Sequence, residues 1–360
     1  MSKNKILFIN FLLVVGSIIL CCIFCESFIY FTDLDIKSLK ATLFFDCADR
    51  ENQKTSSNPN RLYELNPKSN FIYTQIHSKE IKYETEKRDV KVNSLGFRDR
   101  ERDVSKPDGV SRIIVLGGSN TYGALVNNED TFPAVMEKKL NIEYPGEYEV
   151  WNAGIHGYVT SQKVAYAKEI IKKYNPDLLI FQLSNWGRRG FVCTEDYEEL
   201  FKENKELFKE NIPFVFSNNK KITSIHYFLI EKSRFYRFIM ANVNNIFVKF
   251  VVSDEQKGNY QQDKRLLIFH DYGESVNYRD FYNFVKENKN LKIILFDPVF
   301  SRMSEEYQSF TKFNNVEKFY LDNASMSEEY CDIHPPTYVY NYYADELINF
   351  LHNNDYLFNN

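Results

Sequence analysis

The sequence predicts an α/β fold: a three-layer sandwich with a mostly parallel five-stranded sheet, an N-terminal transmembrane helix and a helical insertion. Three observations predict it. From residue 111 onward, short apolar runs that read as buried strands alternate with helical patterns. Glycine-containing turns close the first two of these strands. Far upstream, residues 6–24 contain no charge at all.

The apolar segment runs from Ile6 to Phe24, with only Asn10 and Ser17 as polar interruptions. At about 1.5 Å per residue it just spans the hydrocarbon core of a bilayer. Lys3 and Lys5 precede it, and Glu26, Asp33 and Asp35 follow. The positive-inside bias therefore puts the N-terminus in the cytoplasm and the remainder outside. A cleaved signal peptide usually has a shorter apolar region and a small-residue cleavage site, and no Ala-x-Ala-like site follows here. The whole chain, at 44% hydrophobic and 26% charged, fits a globular protein rather than a multi-span membrane protein. A net charge of −4 without a basic block gives no footprint for nucleic acid. The 25 Tyr and 31 Phe fit either an aromatic core or platforms for sugar rings.

Residues 1–25 form the cytoplasmic tip and anchor, and 26–110 a juxtamembrane linker with a small β-rich arm, in which 81–85 and 90–94 read as strands. The main domain is expected over 111–360. Its strands are Arg112–Gly117, Tyr148–Asn152, Asp177–Leu183, a run within Asn288–Phe296, and Val316–Leu321. Helices are expected over Thr131–Leu140, Ser161–Tyr174 and Tyr338–Leu351. Residues 186–287 interrupt the rhythm as an insertion. Its helical pieces read as an extra layer on the core, or as a lid or a surface that meets membrane or partner.

Four short stretches carry chemistry, and each follows a strand or precedes the last helix. They are Gly117-Gly118-Ser119-Asn120, Asn152-Ala-Gly154-Ile-His156-Gly157, Ser184-Asn185-Trp186 and Asp332-Ile-His334. In open parallel sheets, ligands bind beyond the carboxyl ends of the strands. A serine on a strand-to-helix turn is exposed, and adjacent glycines let substrate approach the backbone. A histidine takes the serine proton, and a carboxylate orients the histidine. Asp332 and His334 stand two apart and point to one side of an extended loop. The Ser119 and Gly157 backbone N–H groups and the Asn185 amide are oxyanion donors, with Gly154 as second choice for Gly157. Asn120, Trp186 and Arg188 are pocket candidates. Trp186 with Arg188 and Arg189 forms either an aromatic and cationic wall or ordinary packing under the insertion.

His270-Asp271 is a competing pair, ranked lower because it falls outside the block before the last helix. His77, His226 and His352 read as structural. Outside the apolar segment, Cys47, Cys193 and Cys331 are an odd count, which argues against a disulfide framework. No metal-ligand spacing is present, so neither metal nor cofactor is expected.

The four blocks resemble the SGNH (GDSL-like) hydrolase superfamily. Val92-Asn-Ser-Leu-Gly-Phe-Arg-Asp99 and Glu129-Asp-Thr-Phe-Pro133 resemble a bacterial subgroup with an N-terminal membrane segment. The resemblance covers about 111–185 and 288–353. It implies a flavodoxin-like sandwich, Ser119 as nucleophile, His334 as base and Asp332 as its orienting group. Three positions depart from the family pattern. Gly118 replaces an Asp, Trp186 replaces an Asp, and Ser184 stands where a Gly-type residue is common. None removes a catalytic atom.

The expected activity is a serine esterase that removes O-acyl groups, acetyl above all, from a cell-envelope or secreted polysaccharide. Two alternatives stay open: an O-acyltransferase using the same Ser-His-Asp site beside a membrane acyltransferase or polysaccharide-assembly partner, and an inactive binding or assembly module. Acylated carbohydrate and the membrane are the expected partners, and nucleic acid is not.

Overall fold

The computed structural model describes residues 3–41, 52–74, 87–124, 126–183, 197–214, 219–251, 270–297, 309–321 and 335–357. In chain order the elements begin with α1 (Lys3–Thr32) and α2 (Leu34–Lys37). Four short strands follow: β1 (Gln53–Thr55), β2 (Tyr63–Leu65), β3 (Asn70–Thr74) and β4 (Lys87–Lys91). Next come β5 (Ser111–Gly117), α3 (Ser119–Tyr122), α4 (Phe132–Glu143), β6 (Tyr148–Gly154), α5 (Thr160–Tyr174) and β7 (Leu178–Gln182). The insertion supplies α6 (Tyr197–Glu203), α7 (Glu206–Asn211), α8 (Lys220–Lys232) and α9 (Arg234–Val251). The chain closes with α10 (His270–Glu287), β8 (Lys292–Asp297), β9 (Val316–Tyr320) and α11 (Thr337–Asn353). It divides into two compact units, residues 1–44 with 195–273 and residues 45–194 with 274–360.

The second unit holds the sheet. Its strand order is β6-β5-β7-β8-β9, and every pair is parallel. The chain enters at β5, steps out to β6, then crosses back to β7. The connections therefore diverge between β5 and β7, the switch point where such sheets open a crevice. Both faces are covered, which explains the unbroken apolar runs in the strands. On one face Ile113, Val115, Ile180, Ile294 and Phe296 pack against Phe132 and Met136 of α4 and Tyr340, Tyr343 and Leu347 of α11. On the other, Phe181 meets Phe281 and Phe284 of α10, with ring centroids 5.2 and 5.6 Å apart. Each such fully buried side chain contributes about 1.5–3 kcal/mol.

The arm in front of the sheet is shifted from the sequence expectation. Residues 81–85 lie outside the described residues. The strand expected at 90–94 ends earlier, at Lys91. Asn93 stops it: its Oδ1 accepts the N–H groups of Leu95 and Phe97, both at 3.0 Å, and closes a tight turn with Gly96 at φ +86. That turn drives three side chains into the sandwich. Phe97 meets Trp151 and Tyr174 edge to face, both with ring centroids 5.3 Å apart. Arg98, fully buried, donates to the carbonyls of Tyr122, Gly123 and Val126. Asp99 accepts from the Asn152 N–H at 3.1 Å. The carbonyls after α3 are orphans of a short helix, and Arg98 satisfies them.

In the first unit, α1 is long and apolar enough to cross a membrane. Asp35 of α2 is fully buried and pairs with Arg237 at 2.9 Å. Within the insertion, α8 and α9 are separated at Ser233, whose Oγ accepts from the Tyr236 N–H at 3.1 Å. His226 is buried, with its ring nitrogens at Ile212 O (2.8 Å) and the Tyr236 hydroxyl (3.1 Å), a structural role.

Candidate active site

The nucleophile candidate sits at a sharp strand-to-helix turn. β5 ends at Gly117, and α3 begins at Ser119. Ser119 is half-buried, whereas Asn120, Thr121 and Tyr122 after it are buried. This turn is held from below by Gln182, the last residue of β7. Its Oε1 accepts the Gly118 N–H at 3.1 Å and the Thr121 hydroxyl at 3.0 Å. Its own Nε2 donates to Leu183 O at 2.7 Å. Lys163, on α5 and fully buried, donates to the backbone carbonyl of Gln182 at 2.7 Å. Burial pushes the Lys163 ammonium down to about 7, because the charged form loses its water.

The glycine turn meets the serine turn directly. Gly154, the end of β6, is paired in register with Gly117, and the next N–H, of Ile155, donates to Gly117 O at 3.1 Å. A Cβ on Gly154 would fall 2.2 Å from Tyr122 N and 2.6 Å from the Thr121 carbonyl carbon. Only glycine lets α3 rest on the strand end. Gly157 has φ +77, the left-handed conformation that favours glycine. A Cβ on Gly118 would meet Tyr158 O at 3.5 Å, an ordinary contact. Underneath, Asp99 is buried against Arg102 and Asn152. Burial pushes its carboxyl up to about 6; Glu137 adds to this, and Arg102 opposes it.

Among the described residues, neither the Ser119 N–H nor the Gly157 N–H meets an acceptor, and the Ser119 hydroxyl makes no hydrogen bond. The first is an expected orphan at a helix start. By contrast, the Gly154 N–H is already given to Asn152 Oδ1 at 3.0 Å, so Gly157 has the freer donor of the two. Asn120 is buried beside Ser119, and its Oδ1 has no hydrogen-bond partner among the described residues.

Asn185, Trp186, Arg188, Arg189, Asp332 and His334 lie outside the described residues, as do Cys47, Cys193, Cys331 and His77. His270 and Asp271 begin α10. Among the described residues no group of three or more His, Cys, Asp or Glu side chains is placed to hold a metal ion. Sequence reading missed Arg98, Lys163 and Gln182. Only Arg98 left a signal, inside the 92–99 motif; a lysine and a glutamine at ordinary positions of a helix and a strand left none.

No protein-family model matches the chain, and no curated protein matches its sequence. Solved structures give similarities. A two-domain esterase, CEX, active on acetylated mannans is 14% identical, over 68% of this chain and 49% of that one, with a TM-score of 0.34. TesA is 12% identical over 67% of this chain and 98% of its own, also with a TM-score of 0.34. Est2A, an acetyl xylan esterase from Butyrivibrio proteoclasticus, is 13% identical over 69% of this chain and 66% of its own, with a TM-score of 0.33. The chain spans about half the length of the mannan esterase, 49%.

Two outcomes follow from this geometry. Gly154→Ala forces backbone against backbone and costs roughly 2 kcal/mol or more, whereas Gly118→Ala melts close to wild type. Thermal melts of the two variants compare them, and equal melting temperatures would contradict the crossing. Lys163 binds fewer protons folded than unfolded between its folded value of about 7 and its ordinary 10.5. Stability therefore rises with pH through that window, by at most about 1.4 kcal/mol per unit. Lys163→Met removes this rise, as melting temperatures from pH 7 to 9 would reveal; identical pH slopes in variant and wild type would refute the assignment.

Proposed function

We propose that this protein is a membrane-anchored serine esterase that removes O-acyl groups, chiefly acetyl, from a cell-envelope or secreted polysaccharide. The observation that supports it is a half-buried Ser119 on the turn after β5, which crosses the Gly154 end of β6 beside the β5–β7 switch point, with the Ser119 and Gly157 N–H groups unclaimed among the described residues. Acyl transfer needs a reactive hydroxyl with uncommitted N–H groups beside it, and the proposal puts the Gly157 N–H beside Ser119.

In this reading Ser119 Oγ attacks the ester carbonyl while His334 takes its proton. Asp332 orients His334 and stabilises it once charged. The oxyanion accepts hydrogen bonds from the Ser119 N–H, the Gly157 N–H and the Asn185 side-chain amide. Collapse of the intermediate expels the sugar alkoxide, which takes the proton from His334. Water, deprotonated by His334, then attacks the acyl-serine, releases the carboxylic acid and restores the Ser119 hydroxyl. The proposal requires the chain between β9 and α11 to bring His334 to Ser119. It needs no metal or cofactor.

The lysines before the apolar run of 6–24 and the acids after it support an N-terminus in the cytoplasm and an external catalytic unit. Anchoring would hold the esterase beside a polymer made at the same envelope. The aromatic-rich composition suits sugar rings, and the acetylated polysaccharides on which CEX and Est2A act indicate the substrate class.

Acetate release from acetylated mannan or xylan by the full chain tests the proposal. Ser119→Ala and His334→Ala are each expected to lower the rate by about 10³-fold or more, and Asn185→Ala by about 10²–10³-fold. Release that survives Ser119→Ala unchanged would remove the serine from the chemistry. Appearance of acetylated acceptor glycan in place of free acetate would assign transfer instead.

A further inference from the structure

Helix α8 presents apolar residues outward. Ile222, Ile225 and Phe228 follow one another at three-residue spacing and are 45, 59 and 60% exposed, while the adjoining face buries His226 and Ile230. Exposed lysines bracket this stripe: Lys220 and Lys221 at the helix start and Lys232 at its end. A helix with an apolar face flanked by lysines has the composition of one that lies in a membrane interface, its long basic side chains reaching back to the headgroups.

The end of α8 is fastened to α1. Glu26 accepts three hydrogen bonds from the α8–α9 corner: from Ser233 Oγ at 2.8 Å, the Arg234 N–H at 2.7 Å and the Phe235 N–H at 3.0 Å. Arg234 also pairs with Asp33 at 2.8 Å. Glu26 is the first charged residue after the apolar run of 6–24. The corner is therefore held where α1 leaves the hydrocarbon. Phe28 and Phe31, one turn further along α1, are 52 and 83% exposed, so lipid-facing apolar surface extends to the same level.

We propose that α8 lies in the bilayer interface at the exit of α1, with Ile222, Ile225 and Phe228 inserted among the acyl chains. The occupant of the stripe is lipid, and the argument is continuity with α1, so this inference rests on α1 being a transmembrane anchor. A second contact with the bilayer limits rotation of the first unit about the single anchoring helix. It also gives the insertion a role separate from the esterase site.

Tryptophan quenching in vesicles tests it on the full chain. Ile225→Trp, Phe228→Trp and, as a reference within α1, Leu13→Trp are reconstituted in phosphatidylcholine and phosphatidylglycerol vesicles whose acyl chains are brominated. Wild-type emission from Trp151 and Trp186 is subtracted. The expected result is quenching of all three new tryptophans by about half or more. Quenching of Leu13→Trp alone would overturn the placement of α8 and leave the anchor standing. Quenching of none would overturn both.

Discussion

Thr121 and Tyr122 rest on the last residue of β6 so closely that Gly154 has no room for a Cβ. That crossing turns two strand ends into one site. It brings the serine turn over the glycine turn and leaves the Ser119 and Gly157 amides without acceptors among the described residues. The surroundings maintain it from three directions. Arg98 binds the carbonyls beyond α3, Gln182 holds Gly118 and Thr121 from the neighbouring strand, and Asp99 pins the β6 backbone at Asn152. A short helix of four residues cannot hold its own geometry in water. Its position comes from these buried polar bonds, each of which is costly to leave unmade.

The sheet was legible because both its faces are buried. Strands such as Arg112–Gly117 and Asp177–Leu183 then read as continuous apolar runs, and their turns as glycine clusters. Ser119 and Gly157 were legible for the same reason: each lies one or a few residues past a recognisable strand. The support of the site was not. Arg98, Lys163 and Gln182 act across long sequence separations, and no periodicity records which carbonyl a buried guanidinium will meet. The strand expected at 90–94 failed on local chemistry, since Asn93 prefers to bond the backbone ahead of it rather than extend a ladder. Asp332, His334 and Asn185 remain assignments from sequence, as they lie outside the described residues.

The insertion shows how far composition alone can lead. Its aromatic helical pattern reads first as an extra layer packed on the core, and second as a lid or a surface that meets membrane or partner. Coordinates separate these by burial: α10 packs on β7 within the sandwich, whereas α8 and α9 join α1 in a different unit. One stretch between two strands of the sheet thus serves two units. Asp33 and Asp35, just beyond the apolar run, pair with Arg234 and Arg237 of α9; Asp35 and Arg237 are both buried, so removing either partner would leave an uncompensated buried charge.

The claim on which the functional account stands is that the Ser119 hydroxyl is chemically activated. Mapping a fluorophosphonate adduct by peptide mass spectrometry tests it most directly, because the reagent requires a nucleophile and a nearby base without requiring the right substrate. The account predicts one equivalent of adduct on the peptide carrying Ser119, lost in His334→Gln. An unmodified Ser119 in folded protein, or an adduct on another residue, would contradict it.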